Sequence, residues 1–187
     1  MRRFSLRGRK QPAWLFVILL VASVTLVTGI PWAIASKDAR SPVFEELRTP
    51  LTLPAGTSID QLQKASVYDV VDGDTIEVLI DRRLETVRYF GVDTPERGDT
   101  CFRDATERNR RLIGSSVLLL PDARERDSFG RLLRYVFKSD GTSVDATLVA
   151  EGMGLAWRQD GRYRDEIVSL EAGAETAGRG CLWRSAP

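Results

Sequence analysis

The chain of 187 residues is nearly balanced, with 27 Lys and Arg against 26 Asp and Glu, and it contains no histidine. That absence excludes Ser-His and Cys-His catalysis, histidine zinc sites and a histidine general base, so any base must be a carboxylate, an amine, a tyrosine or a water. Five of the basic residues fall in the first ten positions, so the rest of the chain carries 22 bases against 26 acids, near −4. Such a chain is not held to nucleic acid by a global positive field, and phosphate recognition would need a local arginine cluster.

Residues 1–10 hold Arg2, Arg3, Arg7, Arg9 and Lys10 with no acid, and residues 13–30 then run 18 positions without a charge. A basic flank before such a run reads as an export signal or a membrane helix with the N-terminus cytoplasmic. Ala33-Ile34-Ala35 fits a small-x-small cleavage site, and Gly29 and Pro31 would break the helix before it. The run is longer than the usual signal core and approaches a full span, which favours an uncleaved anchor by a small margin. On either reading, residues 1–35 are a targeting segment and the rest of the chain lies outside the cytoplasm, membrane-anchored or secreted.

Residues 36–65 read as a flexible tether, with Ser41-Pro42, Thr49-Pro50 and Pro54-Ala55-Gly56 and no sustained period. From Ser66 the pattern becomes β. Residues 66–72, 75–80 and 85–90 give three strands with tight links, the second link at Asp81-Arg82-Arg83, and read as a meander. A helix follows over 103–113, then a strand over 117–120 that Pro121 stops, then a strand over 132–137 before the turn at Asp140-Gly141. Ser143 can cap a helix over 144–151, which Gly152 ends. A last helix over 165–177 spaces Ile167, Leu170, Ala174 and Ala177 at helical intervals, and Gly178 and Gly180 end it. Five strands with three helices predict an α+β, mainly β fold over 66–187, a five-stranded Greek-key barrel of the OB type.

The chemistry concentrates in one window. Asp72-Gly73-Asp74-Thr75 opens it, Arg88 follows, and Val92-Asp93-Thr94-Pro95-Glu96 closes it. On a strand, Asp72 and Asp74 would point to one face, and Gly73 between them permits a close backbone approach. Pairing of the strands around Thr75 and Arg88 would bring Asp93 near Asp74, and carboxylates so placed are costly unless a cation sits between them. Pro95 turns the chain so that Glu96 is presented apart from Asp93. Each part has a plain alternative: a turn at Asp-Gly, a helix N-cap at Asp93-Thr94-Pro95-Glu96, a surface arginine at Arg131 within Asp127-Ser128-Phe129-Gly130-Arg131. Together, carboxylates for a metal, one carboxylate to spare and two arginines are the parts that phosphodiester hydrolysis needs.

That order of motifs, ending at Gly180-x-x-Trp183, resembles the thermonuclease (staphylococcal nuclease-like) family over Val67 to Trp183. The resemblance implies an OB-type barrel with three helices and a calcium-dependent phosphodiesterase acting on DNA and RNA, leaving 3′-phosphate ends. It implies that Asp74, Asp93 and the carbonyl of Thr94 hold Ca2+, with Asp72 as a supporting acid. Glu96 would orient or deprotonate the attacking water, and Arg88 and Arg131 would bind the phosphate. A site with so few protein ligands binds calcium weakly, on the order of 10⁻⁴–10⁻³ M, as suits extracellular calcium.

Phe129 and Ser128 stand where the family's familiar pattern has tyrosine and lysine, and the stretch after Glu96 is shorter and contains Cys101. Trp157, Arg158 and Tyr163 are candidates for the aromatic contacts that flank the substrate base, although Trp157 reads equally well as core. Cys101 and Cys181 are candidates for a disulfide, against the alternative of two free thiols. The runner-up function is a non-catalytic OB-type module that binds nucleic acid or a protein, and a monomer is expected in either case.

Overall fold

The fold is taken from a computed structural model, which describes Leu51 and residues 58–184. The expected targeting segment at 1–35, on which the expected membrane or secreted location rests, and most of the expected tether lie outside the described residues. Among the described residues, no helix is long and apolar enough to cross a membrane.

Five strands close a barrel in the order β1-β2-β3-β6-β5. They are β1 (Gln63–Val70), β2 (Thr75–Ile80), β3 (Arg83–Tyr89), β5 (Ser116–Arg126) and β6 (Leu132–Phe137). β1, β2 and β3 form the expected antiparallel meander, with Thr75 opposite Arg88 and Ile80 opposite Arg83. The β2–β3 link is tight: Asp81 and Arg82 take φ of 50° and 67°, the left-handed pair that a two-residue hairpin turn needs. β6 joins β3 in parallel, Val87 opposite Leu132, and β5 closes the barrel against β1, Ser66 opposite Ser116. Regular alternation along β2 sends Ile76, Val78 and Ile80 inward, where they meet Val87, Val117, Leu119 and Phe137 in the buried core.

A short pair, β4 (Val92–Asp93) with β7 (Leu155–Ala156), lies outside the barrel. The helices are α1 (Phe102–Leu112), α2 (Val144–Ala150), α3 (Arg164–Thr176) and the single turn α4 (Gly180–Trp183). Ser143 caps α2 as expected, its Oγ accepting from Ala146 N at 3.2 Å.

Three expectations are corrected. Pro121 does not stop β5, which runs on to Arg126. The β1 ladder ends at the Gln63–Leu119 pair, so Pro121 faces β6 alone and its missing N–H forfeits no bond on the other side. The barrel starts at Gln63, before the expected end of the tether. α3 ends before Gly178 as expected, with Gly178 at φ 58°, but a fourth helical turn, α4, then follows from Gly180 where three helices are expected. A Cβ on Gly180 would collide with the carbonyl oxygens of Glu151 and Gly152, so only glycine lets α4 lie against the end of α2. The disulfide between Cys101, at the start of α1, and Cys181 in α4 ties the two elements, with Cα atoms 5.6 Å apart.

Candidate active site

The acid window folds onto the rim of the barrel. Residues 71–74 form the loop between β1 and β2 and not a strand, so Asp72 and Asp74 do not share a strand face. Asp72 instead accepts the Asp74 amide on Oδ1 at 3.1 Å, as aspartates do in turns. The loop is packed tightly: a Cβ on Gly73 would lie 2.6 Å from Thr94 Oγ1 and 2.9 Å from Ala105 Cβ. The close approach expected of this glycine is made to Thr94 and α1. Asn109, fully buried in α1, donates to the Asp72 carbonyl at 2.9 Å and accepts from Tyr89 Oη at 2.8 Å, fixing the loop to β3.

Asp74 is buried, and four donors reach its two oxygens. Oδ1 accepts from Thr75 Oγ1 at 3.2 Å and pairs with Arg88 Nε at 3.0 Å. Oδ2 accepts from Thr94 N at 2.6 Å and Thr94 Oγ1 at 2.7 Å. A carboxylate offers about four lone-pair positions, so Asp74 is saturated. Arg88 goes on to bridge the second acid, Nη2 lying 2.6 Å from Asp93 Oδ1, while Nη1 donates to the carbonyls of Tyr89 and Val92. Asp93 is more than half exposed. Burial, followed by the nearby charge of Asp74, pushes the Asp72 carboxyl above the usual aspartate range.

Whether these residues suit a metal can be judged from the donors. All of them are oxygens, the chemistry of a hard cation such as Ca2+, and the acids outnumber the one guanidinium between them. Among the described residues no group of three acids converges as a ready cage. The set fits a cation that shares the site with water and phosphate oxygens, provided that Asp74 releases one of its four donors. The Thr75 hydroxyl, at 3.2 Å, is the longest of them.

Arg131 reaches the same region from the turn before β6. Its Nε lies 2.6 Å from Asp127 Oδ2, and Asp127 Oδ1 accepts the amides of Phe129 and Arg131, so one aspartate shapes the turn and aims the guanidinium. Burial acts to raise the Asp127 carboxyl, but the bonds from Arg131 hold it below the usual range. Glu96 follows the turn at Pro95. Its amide donates to Asp99 Oδ2 at 3.2 Å, and its carboxylate has no ion pair among the described residues.

Arg88, Asp93, Glu96, Arg131, Phe129 and Trp157 line one cleft of about 400 Å³. Thus Glu96, with no ion pair among the described residues, shares the cleft with Arg88 and Arg131, and Arg88 ties the cleft to Asp74. Arg158 and Tyr163 lie elsewhere. Arg158 pairs with the buried Glu171 at 2.8 Å. Tyr163 is buried in the core, its ring centroid 4.8 Å from that of Tyr135. The resemblance offers both as substrate contacts; Tyr163 instead directly precedes α3, which starts at Arg164, and is buried there.

The sequence motifs assign no role to Arg124, Gln159 or Asp160, of which Arg124 and Gln159 line the cleft and Asp160 pairs with Arg124. The signal for Arg124 is the alternation past Pro121, where Asp122 and Arg124 are half-buried between exposed neighbours, and ending the strand at the proline conceals it.

The fold and site together are a closed five-stranded barrel of the OB type with an acid and arginine cleft on its rim. The family described as Staphylococcal nuclease homologue matches residues 86–185, and the chain belongs to that family. Over 143 residues it is 36% identical to Endonuclease YncB of Bacillus subtilis (strain 168), covering 71% of this chain and 67% of the relative. It is 38% identical over 127 residues to the SPbeta prophage-derived endonuclease YokF of the same organism, but spans only 43% of that longer protein. It is 32% identical over 130 residues to the Thermonuclease of Staphylococcus hyicus, covering 65% of this chain and 76% of the relative.

Proposed function

We propose that the protein is a calcium-dependent nuclease that hydrolyses phosphodiester bonds of DNA and RNA outside the cytoplasm, leaving 3′-phosphate ends. Family membership and the names of the relatives support nuclease activity. The observation that carries the reading is the cleft itself, in which Arg88, Arg131 and the unpaired Glu96 face one space. The basic flank and apolar run of residues 1–35 support the location, and the oxygen donors support the ion.

The geometry supports a division of labour. Arg131 engages Asp127 through Nε and reaches the Thr75 hydroxyl through Nη1 at 3.5 Å, a long bond that yields readily, so its Nη atoms can take phosphate oxygens in a planar, two-point contact that lysine does not offer. Arg88 is anchored by two carboxylates and two carbonyls, so its charge is fixed where charge develops on the phosphate. Glu96 takes the proton of the attacking water; with no histidine in the chain and no ion pair on its carboxylate among the described residues, it is the base that the cleft supplies. Asp74, Asp93 and Thr94 would hold the ion, with Asp72 in support, and a bound divalent cation polarises phosphate and gathers the reactants.

The test incubates the full chain with single-stranded DNA and with RNA, comparing added calcium with a chelator. Cleavage in calcium, abolished by chelation and leaving products that a 3′-phosphatase can modify, is the expected result. Intact substrate in calcium would overturn the reading and leave a non-catalytic binding module.

A further inference from the structure

One wall of the cleft is built in a way that the roles of Arg88, Glu96 and Arg131 leave unexplained. Arg124, near the end of β5, meets Asp160 as a fork, Nε at 2.5 Å from Oδ2 and Nη2 at 2.9 Å from Oδ1. The same Oδ1 accepts the indole N–H of Trp157 at 2.8 Å. The Arg124 guanidinium lies 5.0 Å from the ring centroid of Phe90 and 5.8 Å from that of Trp157. The Trp157 amide donates to the Gly91 carbonyl at 3.0 Å. The indole is therefore held at its nitrogen, over its face and through its backbone.

Tyr89 and Phe90 also line the cleft but are buried in the core. Phe129 differs sharply: it is 83% exposed, with the Arg131 guanidinium 5.4 Å from its ring centroid. The cleft thus sets a held indole against an exposed ring.

We propose that Arg124 and Asp160 are positioning residues that hold Trp157 as the fixed wall against which a nucleobase beside the cleaved phosphate stacks; this rests on the proposed nuclease function. Nucleobases of every kind present a π face, and an indole is a broad surface for one. A ring already locked in place loses no rotamer freedom when the base arrives, so the Arg124–Asp160 fork strengthens binding without touching the reacting bond. Arg124 itself is a poor phosphate clamp, because its fork is filled by both oxygens of one carboxylate. Its guanidinium is also occupied against two aromatic rings.

The consequence is a separation of binding from turnover. A residue that acts only through the base wall changes KM and leaves kcat nearly as it was. A merely structural residue would change the melting temperature and the amount of active protein in both.

The experiment uses the full chain and its Arg124→Ala, Arg124→Lys, Asp160→Asn and Trp157→Phe variants. Cleavage of a single-stranded oligonucleotide gives KM and kcat. Deoxynucleoside 3′-monophosphates, titrated against tryptophan fluorescence, give binding directly, and Trp157→Phe assigns the signal. Arg124→Ala and Asp160→Asn should each raise KM and Kd by about tenfold with kcat within twofold. The double variant should add little, because the two residues act as one unit. Arg124→Lys keeps the charge without the fork, so it should show the same loss in a chain of unchanged thermal stability. Unchanged KM and Kd in folded variants would overturn the proposal, as would a fall in kcat at constant KM. If the wild-type chain cleaves nothing yet nucleotides still quench Trp157 and the variants bind them weakly, the nuclease reading fails and the base wall stands.

Discussion

Arg88 Nε lies 3.0 Å from Asp74 Oδ1, and the same guanidinium reaches Asp93 with Nη2 at 2.6 Å. One half-buried cation thus balances the two acids that would hold a metal. Arg88→Ala should leave Asp74 as an uncompensated buried charge and cost about 3–5 kcal/mol of stability, less whatever solvent recovers at the more exposed Asp93. Added calcium should restore part of that loss, since either cation can satisfy the carboxylates. Melting temperatures with and without calcium check this, and a calcium-induced rise no larger than in the wild type would count against a metal at Asp74 and Asp93.

Glu96 stands in the opposite situation, with no ion pair on its carboxylate among the described residues. Glu96→Gln should therefore leave the melting temperature unchanged while turnover falls by about 10²–10⁴. A full rate in a folded Glu96→Gln chain would remove it as the base.

Arg131→Ala tests the phosphate contact. Asp127 would keep its bonds to the amides of Phe129 and residue 131, so the turn should persist while turnover falls by about 10²–10³. Loss of activity accompanied by a lowered melting temperature would instead assign Arg131 to the turn.

The barrel is legible in the sequence from two patterns: alternation in β2, where Ile76, Val78 and Ile80 carry one face, and short apolar runs in β5 and β6, which are buried throughout. The short motifs place Asp74, Arg88, Asp93 and Glu96 together because strand pairing at Thr75 and Arg88 follows from the tight hairpin between them. The saturation of Asp74 is not legible, because it depends on Thr94 closing over it from 20 positions away. Nor does the sequence separate Trp157, which lines the cleft, from Tyr163, which is core, since both are aromatic residues in the same loop-rich stretch. Arg124 and Asp160 stay hidden for a related reason: their pairing spans 36 residues and neither belongs to a recognisable motif.

The Cys101–Cys181 bond closes a loop of 80 residues and joins the start of α1 to α4. In the chain-entropy account, such a closure stabilises by about 4 kcal/mol. Cys181→Ser, or the wild type under reductant, should lose roughly that much in a urea titration. An unchanged midpoint would show that the thiols are free in the native protein.

Asp145 supplies a pH dependence that is separate from the site. It is fully buried in α2, where its Oδ1 accepts the Gly91 amide and its Oδ2 the Val136 amide, each at 2.9 Å. Burial pushes its carboxyl up to about 6, more than the two amide bonds pull it down. The folded chain therefore keeps this proton up to about pH 6, while the unfolded chain releases it near the usual aspartate value of about 4. Between those limits the folded state binds more proton, so this group's contribution to stability falls as pH rises from about 4 to 6 and is level above. Two pKa steps correspond to about 3 kcal/mol. Asp145→Asn removes this slope, but an amide offers one acceptor oxygen to two N–H donors and should cost about 1–3 kcal/mol on its own. Urea midpoints at pH 4, 5, 6 and 7 should show the wild type's advantage over the variant shrinking by about 3 kcal/mol across the series. A constant difference would mean that Asp145 stays ionised throughout and that its two amide bonds outweigh its burial.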